Sequence, residues 1–200
     1  MPRGVAIPEL REQLFAAVDR LLVREGPSGL TTRAITTEAG CAKGILHNHF
    51  SGLDGFLAEY VLASLRTAQE TVAKLPAQAG QATVADNLAE MASSLLRSRV
   101  LAAHTMVMFR PSVVSRLRET RRHWSPDLSA LERTIIRYLD AEKDLGRVAA
   151  AVDTSAVAIA LVASLDRILM TRSTDATTAQ NSLAGVVAVL VAATAVQPAR

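Results

Sequence analysis

Lys43, Gly44, His47 and Asn48 are spaced so that a helix through them places all four on one face, opposite Leu46 and Phe50. Each has a use on that face. On such a face a Lys like Lys43 is able to donate to a guanine edge, an Asn like Asn48 to form a bidentate pair with adenine, and a Gly like Gly44 to let a helix backbone approach a duplex closely. His47 is open to two roles: a neutral ring giving one hydrogen bond, or a ring whose protonation makes phosphate binding pH-sensitive. His49 does not complete a metal site with His47, because positions two apart on a helix point about 200° from each other and no Cys or carboxylate cluster fills a shell. Cys41, the single cysteine, reads as a small apolar filler; a lone thiol forms no internal disulfide and fits a reducing cytoplasm. Arg110, Arg116, Arg118, Arg121 and Arg122 form the densest basic run, either a solvated helix face or an anchor for a ligand carboxylate or phosphate. Neither a nucleophile–base pair, nor paired carboxylates at catalytic spacing, nor a phosphate-cradling glycine loop is present, so no enzyme and no cofactor is expected.

The elements that must position these groups are helices. In the first, Leu10, Leu14, Val18, Leu21 and Leu22 form an apolar stripe, with Pro8 suited to its first turn and Gly26-Pro27 as its stop. A short helix follows with Thr31 or Thr32 as N-cap, Ala34, Ile35 and Ala39 inward, and Gly40 as stop; the next short segment, near 42–49, packs on Leu46 and Phe50. Two short helices meeting at a glycine turn, the second turning polar groups outward, have the anatomy of a helix-turn-helix, although such pairs also occur in bundles that never touch DNA. Ser51 precedes Asp54 by three, an approximate capping box, and opens a long helix carrying Leu53, Phe56, Leu57, Tyr60, Val61 and Leu65 as far as Pro76. Five more helices are expected behind it, with the Arg-rich segment between two of them, giving an all-α chain of about nine helices and no strands.

Composition agrees with this and excludes other classes. Half of the 200 residues are hydrophobic and only 4% aromatic, a core-forming, helix-favouring mixture. The net charge is +3, but the first 60 residues hold six basic against seven acidic side chains, so bulk charge does not announce a nucleic-acid partner. No secretory leader pattern is seen at the start, and Leu183–Val196 is too short an apolar stretch for the roughly 20 residues of a membrane span, so no membrane partner is expected.

The stretch from Thr31 to Phe50 resembles the DNA-binding signature of the tetracycline-repressor (TetR) family: Ile35, Ala39, Gly40, Gly44, Leu46, His49 and Phe50 sit at matching positions, and the likeness extends over about residues 9–62. The resemblance implies a DNA-binding domain over 1–52 and an effector-binding and dimerisation domain over 53–200. It implies a DNA-facing set of Thr31, Thr32, Arg33, Ala42, Lys43, Gly44, Ile45, His47, Asn48 and His49. Three positions depart from the pattern. Ala42 stands where the family caps its recognition helix with Ser or Thr, His47 where a Tyr hydroxyl reaches phosphate, and Leu53 where a Lys does.

For the rest of the chain the resemblance implies a ligand cavity among the middle helices, for which Met91, Leu95, His104, Met108, Trp124 and Tyr138 are candidates; plain core packing is the competing reading. The last two helices leave almost no polar face, so a second copy is the economical cover, as the resemblance also implies. Val157, Leu161, Leu165, Ile168, Leu183, Val187, Leu190 and Val191 are the expected seam. The expectation is a cytoplasmic homodimer that represses from a palindromic double-stranded operator and is released by a small-molecule effector of unknown identity; the alternative is a helical ligand- or partner-binding dimer without specific DNA binding.

Overall fold

A computed structural model describes residues 7–120, 129–170 and 176–194. The described residues form ten α-helices and two single 3₁₀ turns, with no strand. The helices are α1 (Ile7–Glu25), α2 (Thr32–Glu38), α3 (Ile45–Phe50), α4 (Gly52–Val72), α5 (Val84–Arg97), α6 (Val100–Phe109), α7 (Pro111–Thr120), α8 (Ser129–Asp144), α9 (Thr154–Met170) and α10 (Ala176–Thr194). The one beyond the expected nine is α7, in the Arg-rich segment. Pro111 occupies its first turn, where a missing N–H costs nothing, and Val113 and Leu117 bury one stripe of it.

The chain packs as two compact units, and the division falls within α4 and α6. One unit takes α1 to α3, α4 up to Leu65, α6 from Ala102, and α7. Its core is rich in aromatics: Phe50 meets Phe56 edge-on at 5.1 Å, Phe56 meets Phe15 at 5.7 Å, and Phe15 meets Tyr60 edge-on at 5.1 Å. Tyr60 is fully buried and donates its hydroxyl to Asp19 of α1. Gly55 lets α4 begin close under α3, since a Cβ there would lie 1.9 Å from the Phe50 carbonyl oxygen.

The other unit takes the end of α4, α5, and α8 to α10. Within it α10 packs on α5 and α9, and α8 on α9 and on the 3₁₀ turn Leu75–Gln78. Its core is aliphatic, built from residues such as Leu88, Leu95, Ile135, Leu139, Leu161 and Leu183. A polar clasp is buried inside it. Asn87 Nδ2 donates to the Tyr138 hydroxyl at 3.0 Å and to the carbonyls of Gln78 and Gln81 at 3.2 and 3.0 Å. The fully buried Glu142 accepts from the Gly80 N–H at 3.3 Å and stands 3.0 Å from Arg147 Nε, an ion pair without an aligned hydrogen bond at Oε2. Arg147 also donates to the carbonyls of Gln81 and Ala82, so the clasp holds the 78–82 segment against the end of α8.

The expected seam residues divide into two sets by burial, and one expected cap needs correcting. Leu161, Leu165, Leu183 and Val187 are buried in this unit's own core, and Val157, Ile168, Leu190 and Val191 are packed partly against it. The first four are therefore covered within the chain, whereas the other four keep part of their surface open. Ser51 does not act as the head of a capping box; it takes the left-handed conformation (φ 58°) that ends α3.

Candidate nucleic-acid interface

The helix pair α2 and α3 is positioned by local chemistry that the sequence dictates. Thr31 caps α2: its side-chain oxygen accepts from the Ala34 N–H at 3.1 Å. At the other end Gly40 adopts φ 65°, with its N–H on Thr37 O at 3.1 Å and the Cys41 N–H on Thr36 O at 2.8 Å, the paired bonds of a Schellman stop. Ile35 and Ala39 are buried on α2, and Leu46 and Phe50 on α3, which fixes how the two helices face the core. The half-buried Cys41 packs beside them, and burial pushes its thiol up, so it stays protonated.

Helix α1 clamps the end of α2. Gln13 Nε2 donates to Ala39 O at 2.6 Å, and Glu38 receives Arg20 Nε at 2.5 Å and Arg24 Nη2 at 2.9 Å. The Arg20 and Arg24 hydrogen bonds hold the Glu38 carboxyl below its ordinary range. Sequence reading missed these clamps, because nothing in the spacing of Gln13, Arg20 and Glu38 marks them as neighbours.

The recognition helix starts later than 42. Its N-cap is Gly44, without a side-chain cap bond, and the preceding residues form a turn closed by the Ile45 N–H on Ala42 O at 3.1 Å. Ala42 is therefore not a failed cap, and α3 begins on a glycine N-cap, only a few tenths of a kcal/mol worse than Ser or Thr. Ala42, Lys43, Gly44, His47, Asn48 and His49 are all exposed, whereas Ile45 is half-buried against the core. On α2, Thr31 and Arg33 are exposed and Thr32 is half-buried. Gly44 has an ordinary backbone conformation (φ −76°), and a Cβ there would touch only Asn48 Nδ2 at 3.6 Å. The fold has no need of a glycine at this position.

The expected effector residues are not gathered within one unit. Met91, Leu95 and Tyr138 are buried in the aliphatic core, with the Tyr138 hydroxyl engaged by the clasp. His104 is half-buried and Met108 exposed on α6, in the aromatic unit. Trp124 lies outside the described residues, as do Arg121 and Arg122. An open cleft of about 520 Å³ in the aromatic unit is lined by Ser51, Leu53, Asp54, Ser112, Ser115, Arg116 and Glu119; Arg116 belongs to the basic run read as a solvated face or a ligand anchor, and none of the seven is among the expected effector residues. Of the basic run, Arg116 pairs with Glu119 at 2.7 Å and Arg118 is exposed, while Arg110 turns inward. No group of three or more His, Cys, Asp or Glu arranged for a metal occurs among the described residues. No helix among them is long and apolar enough to cross a membrane.

Residues 13–60, from α1 to the first turns of α4, match the family model for bacterial regulatory proteins of the tetR family. The chain is 34% identical over 80 residues to the HTH-type transcriptional regulator BetI of Stenotrophomonas maltophilia; that stretch spans 40% of this chain and only 41% of the relative. Solved structures share the fold over nearly the whole length. E. coli NemR in its reduced form matches with a TM-score of 0.66 at 14% identity, over 96% of this chain and 100% of that one. Salmonella enterica GusR matches with 0.63 at 17% identity, over 96% and 99%. A TetR-family transcriptional regulator from Mesorhizobium loti matches with 0.63 at 13% identity, over 96% and 100%. The helix-turn-helix at α2–α3 thus lies within a segment, residues 13–60, that matches the tetR-family model, and the chain as a whole shares its all-helical fold with solved regulators of that family.

Proposed function

We propose that the chain is a ligand-responsive repressor that binds a palindromic operator as a homodimer in the cytoplasm, with residues 1–52 reading DNA and 53–200 serving effector binding and dimerisation. The observation that carries the DNA reading is the outward face of the 42–44 turn and α3. Lys43, His47, Asn48 and His49 are exposed there on a base of buried Leu46 and Phe50, around a glycine that the fold itself does not require. Lys43 and Asn48 take base edges, while Thr31, Thr32, Arg33 and His49 take backbone. His47 replaces a tyrosine hydroxyl and Leu53 a lysine, so fewer phosphate contacts are available and the salt dependence of binding is shallow.

The seam of the dimer moves to the faces left open. Ile159 and Val189 are 52% and 69% exposed, and Ala156 and Ala163 on α9 and Gly185 and Ala188 on α10 are exposed at helical spacing with them. Small side chains there allow two helix pairs to approach closely. The polar handles for an effector are His104 and residues still to be found, because the Tyr138 hydroxyl is already satisfied. A two-fold dimer reads half-sites about 34–36 Å apart or a multiple of it.

Fluorescence anisotropy of the purified chain on its own upstream intergenic duplex, with a scrambled duplex as control and several salt concentrations, tests the reading. Saturable, palindrome-dependent binding is expected, with Asn48→Ala weakening it by about 1–3 kcal/mol and relaxing preference at one base pair. Equal weak binding to both duplexes overturns it in favour of a helical dimer without specific DNA binding. Sedimentation of Val189→Arg against wild type tests the seam: the variant is expected to be monomeric.

A further inference from the structure

We propose that Arg110 is a positioning residue for DNA binding, a tether that holds the segment leading into α2. It rests on the reading of α2–α3 as the DNA-contacting pair. Arg110 is a corner. Its N–H closes α6 on Met106 O at 3.0 Å, and its carbonyl starts α7 by accepting from Val113 at 3.0 Å and Val114 at 3.4 Å. Its side chain leaves that corner and crosses to a part of the chain some 80 residues earlier, where Nη2 donates to Leu30 O at 2.6 Å and to Pro27 O at 2.9 Å.

Those two carbonyls flank the 3₁₀ turn Pro27–Gly29, which joins α1 to α2 after the left-handed Gly26 (φ 69°). The turn is short and held by three bonds of its own: the Gly29 N–H reaches Gly26 O at 3.2 Å, the Leu30 N–H reaches Pro27 O at a long 3.4 Å, and the Thr31 N–H reaches Gly29 O at 3.0 Å. Leu30 is fully buried, and its carbonyl is one peptide unit from Thr31, the cap that starts α2. A guanidinium on that carbonyl is a charge-assisted bond, stronger than the neutral bonds around it. It fixes the peptide plane entering Thr31, and with it the direction in which Thr31, Thr32 and Arg33 leave the core. Arg110 thus differs from Arg116, which pairs with Glu119, and from the exposed Arg118 in the same run: its half-buried guanidinium is spent on main-chain carbonyls of the reading module.

Arg110→Gln and Arg110→Lys in the full chain test this by two readouts. The first needs no DNA: amide hydrogen exchange of residues 30–35. Arg110→Gln is expected to speed exchange there about tenfold, the scale of one lost charge-assisted bond, with the amides of α5, α8 and α9 unchanged, and Arg110→Lys to restore part of the protection. The second is operator anisotropy, where Arg110→Gln weakens binding by a similar factor and Arg110→Lys recovers part of it. Unchanged exchange overturns the tether. Faster exchange with full operator affinity overturns the positioning role, leaving a structural bond only. Lower affinity and a shallower salt slope with unchanged exchange identify a direct phosphate contact and also overturn it. A wild-type chain that binds no duplex removes the DNA reading itself and the positioning role with it, while the exchange result still reports on the tether.

Discussion

The aromatic unit and the aliphatic unit reach order by different means. In the first, α2 and α3 have seven and six residues, too few to be stable helices alone. They are held by directional contacts: the Thr31 cap, the Gly40 stop, the ring edges from Phe50 to Tyr60, the Glu38 ion pairs and the Arg110 bonds. In the second, helices of 14 to 19 residues bury broad faces of leucine, valine and alanine, and direction enters mainly through the Asn87–Tyr138–Glu142–Arg147 clasp. A unit built from directional contacts places its surface residues to a fraction of an ångström, which reading base edges requires. A unit built from aliphatic burial tolerates exchange of one hydrophobe for another of similar volume.

The largest test of that contrast is at glycine. Gly55→Ala puts a Cβ 1.9 Å from the Phe50 carbonyl oxygen, and main chain at the α3–α4 junction must move to relieve it. We expect a loss of about 3 kcal/mol in chemical denaturation, at the upper end for over-packing, together with loss of operator binding. Gly185→Ala is the matched change in the aliphatic unit. A Cβ there meets nothing within 4 Å in its own chain, so the exchange is expected to raise the folding stability of the isolated chain by about 1 kcal/mol through helix propensity, with any weakening of the proposed seam read separately by sedimentation. Equal costs at the two sites would mean that the junction is as forgiving as a solvent-facing helix.

A smaller effect is expected at Tyr138, where the aliphatic unit is directional. Burial, and hydrogen bonding to Glu142, push the phenol well above its ordinary value of 10.0, while the Asn87 bond acts the other way. Tyr138→Phe is expected to cost about 2 kcal/mol, the range for a buried hydrogen-bonding group, and to leave operator affinity unchanged. The pH dependence follows in sign. Above about pH 10 the unfolded chain releases the phenolic proton that the folded chain keeps, so this contribution to stability falls as pH rises, by at most about 1.4 kcal/mol per unit. The difference between the alkaline limbs of wild type and Tyr138→Phe isolates it. A variant of full stability that fails only to respond to effector would instead make Tyr138 a ligand handle.

The same contrast explains what was legible in the sequence. Thr31, Gly40, Leu46 and Phe50 are local signals: a cap, a stop and an i, i+4 pair announce themselves within one turn of chain, and the structure uses them so. The start of α3 was missed by three residues because the Ala42–Ile45 turn is a backbone event with no side-chain signature. Ser51 mimicked a cap because Ser-x-x-Asp is read by spacing, while the left-handed conformation at 51 follows from how α3 must turn into α4. At the other end of the chain, periodicity reported correctly that α9 and α10 are apolar nearly all round, but it cannot say which side a neighbour in the same chain covers. The leucines went inward, and Ile159, Val189 and the small residues were left outside. Met91, Leu95 and Tyr138 were chosen by residue type, and type does not distinguish a cavity wall from a filled core.

The smallest expected effect is electrostatic, at Glu38. Its carboxyl is held below the ordinary range first by Arg20 and then by Arg24. A depressed carboxyl contributes stability that is present above the ordinary carboxylate pKa and is lost as pH falls through the folded value. Glu38→Gln is therefore expected to lower the denaturation midpoint slightly at neutral pH, and the gap from wild type should close on acidification. It should also narrow with added salt, because Arg20 and Arg24 are half-exposed, at 52% and 55%. A gap that persists in acid and in high salt would assign the role of Glu38 to packing, and the hold of α1 on α2 would then rest on Gln13 and the buried face alone. Operator affinity separates the cases further: a charge clamp predicts an affinity loss that salt erases in parallel with the stability loss, whereas a packing role predicts one that salt leaves in place.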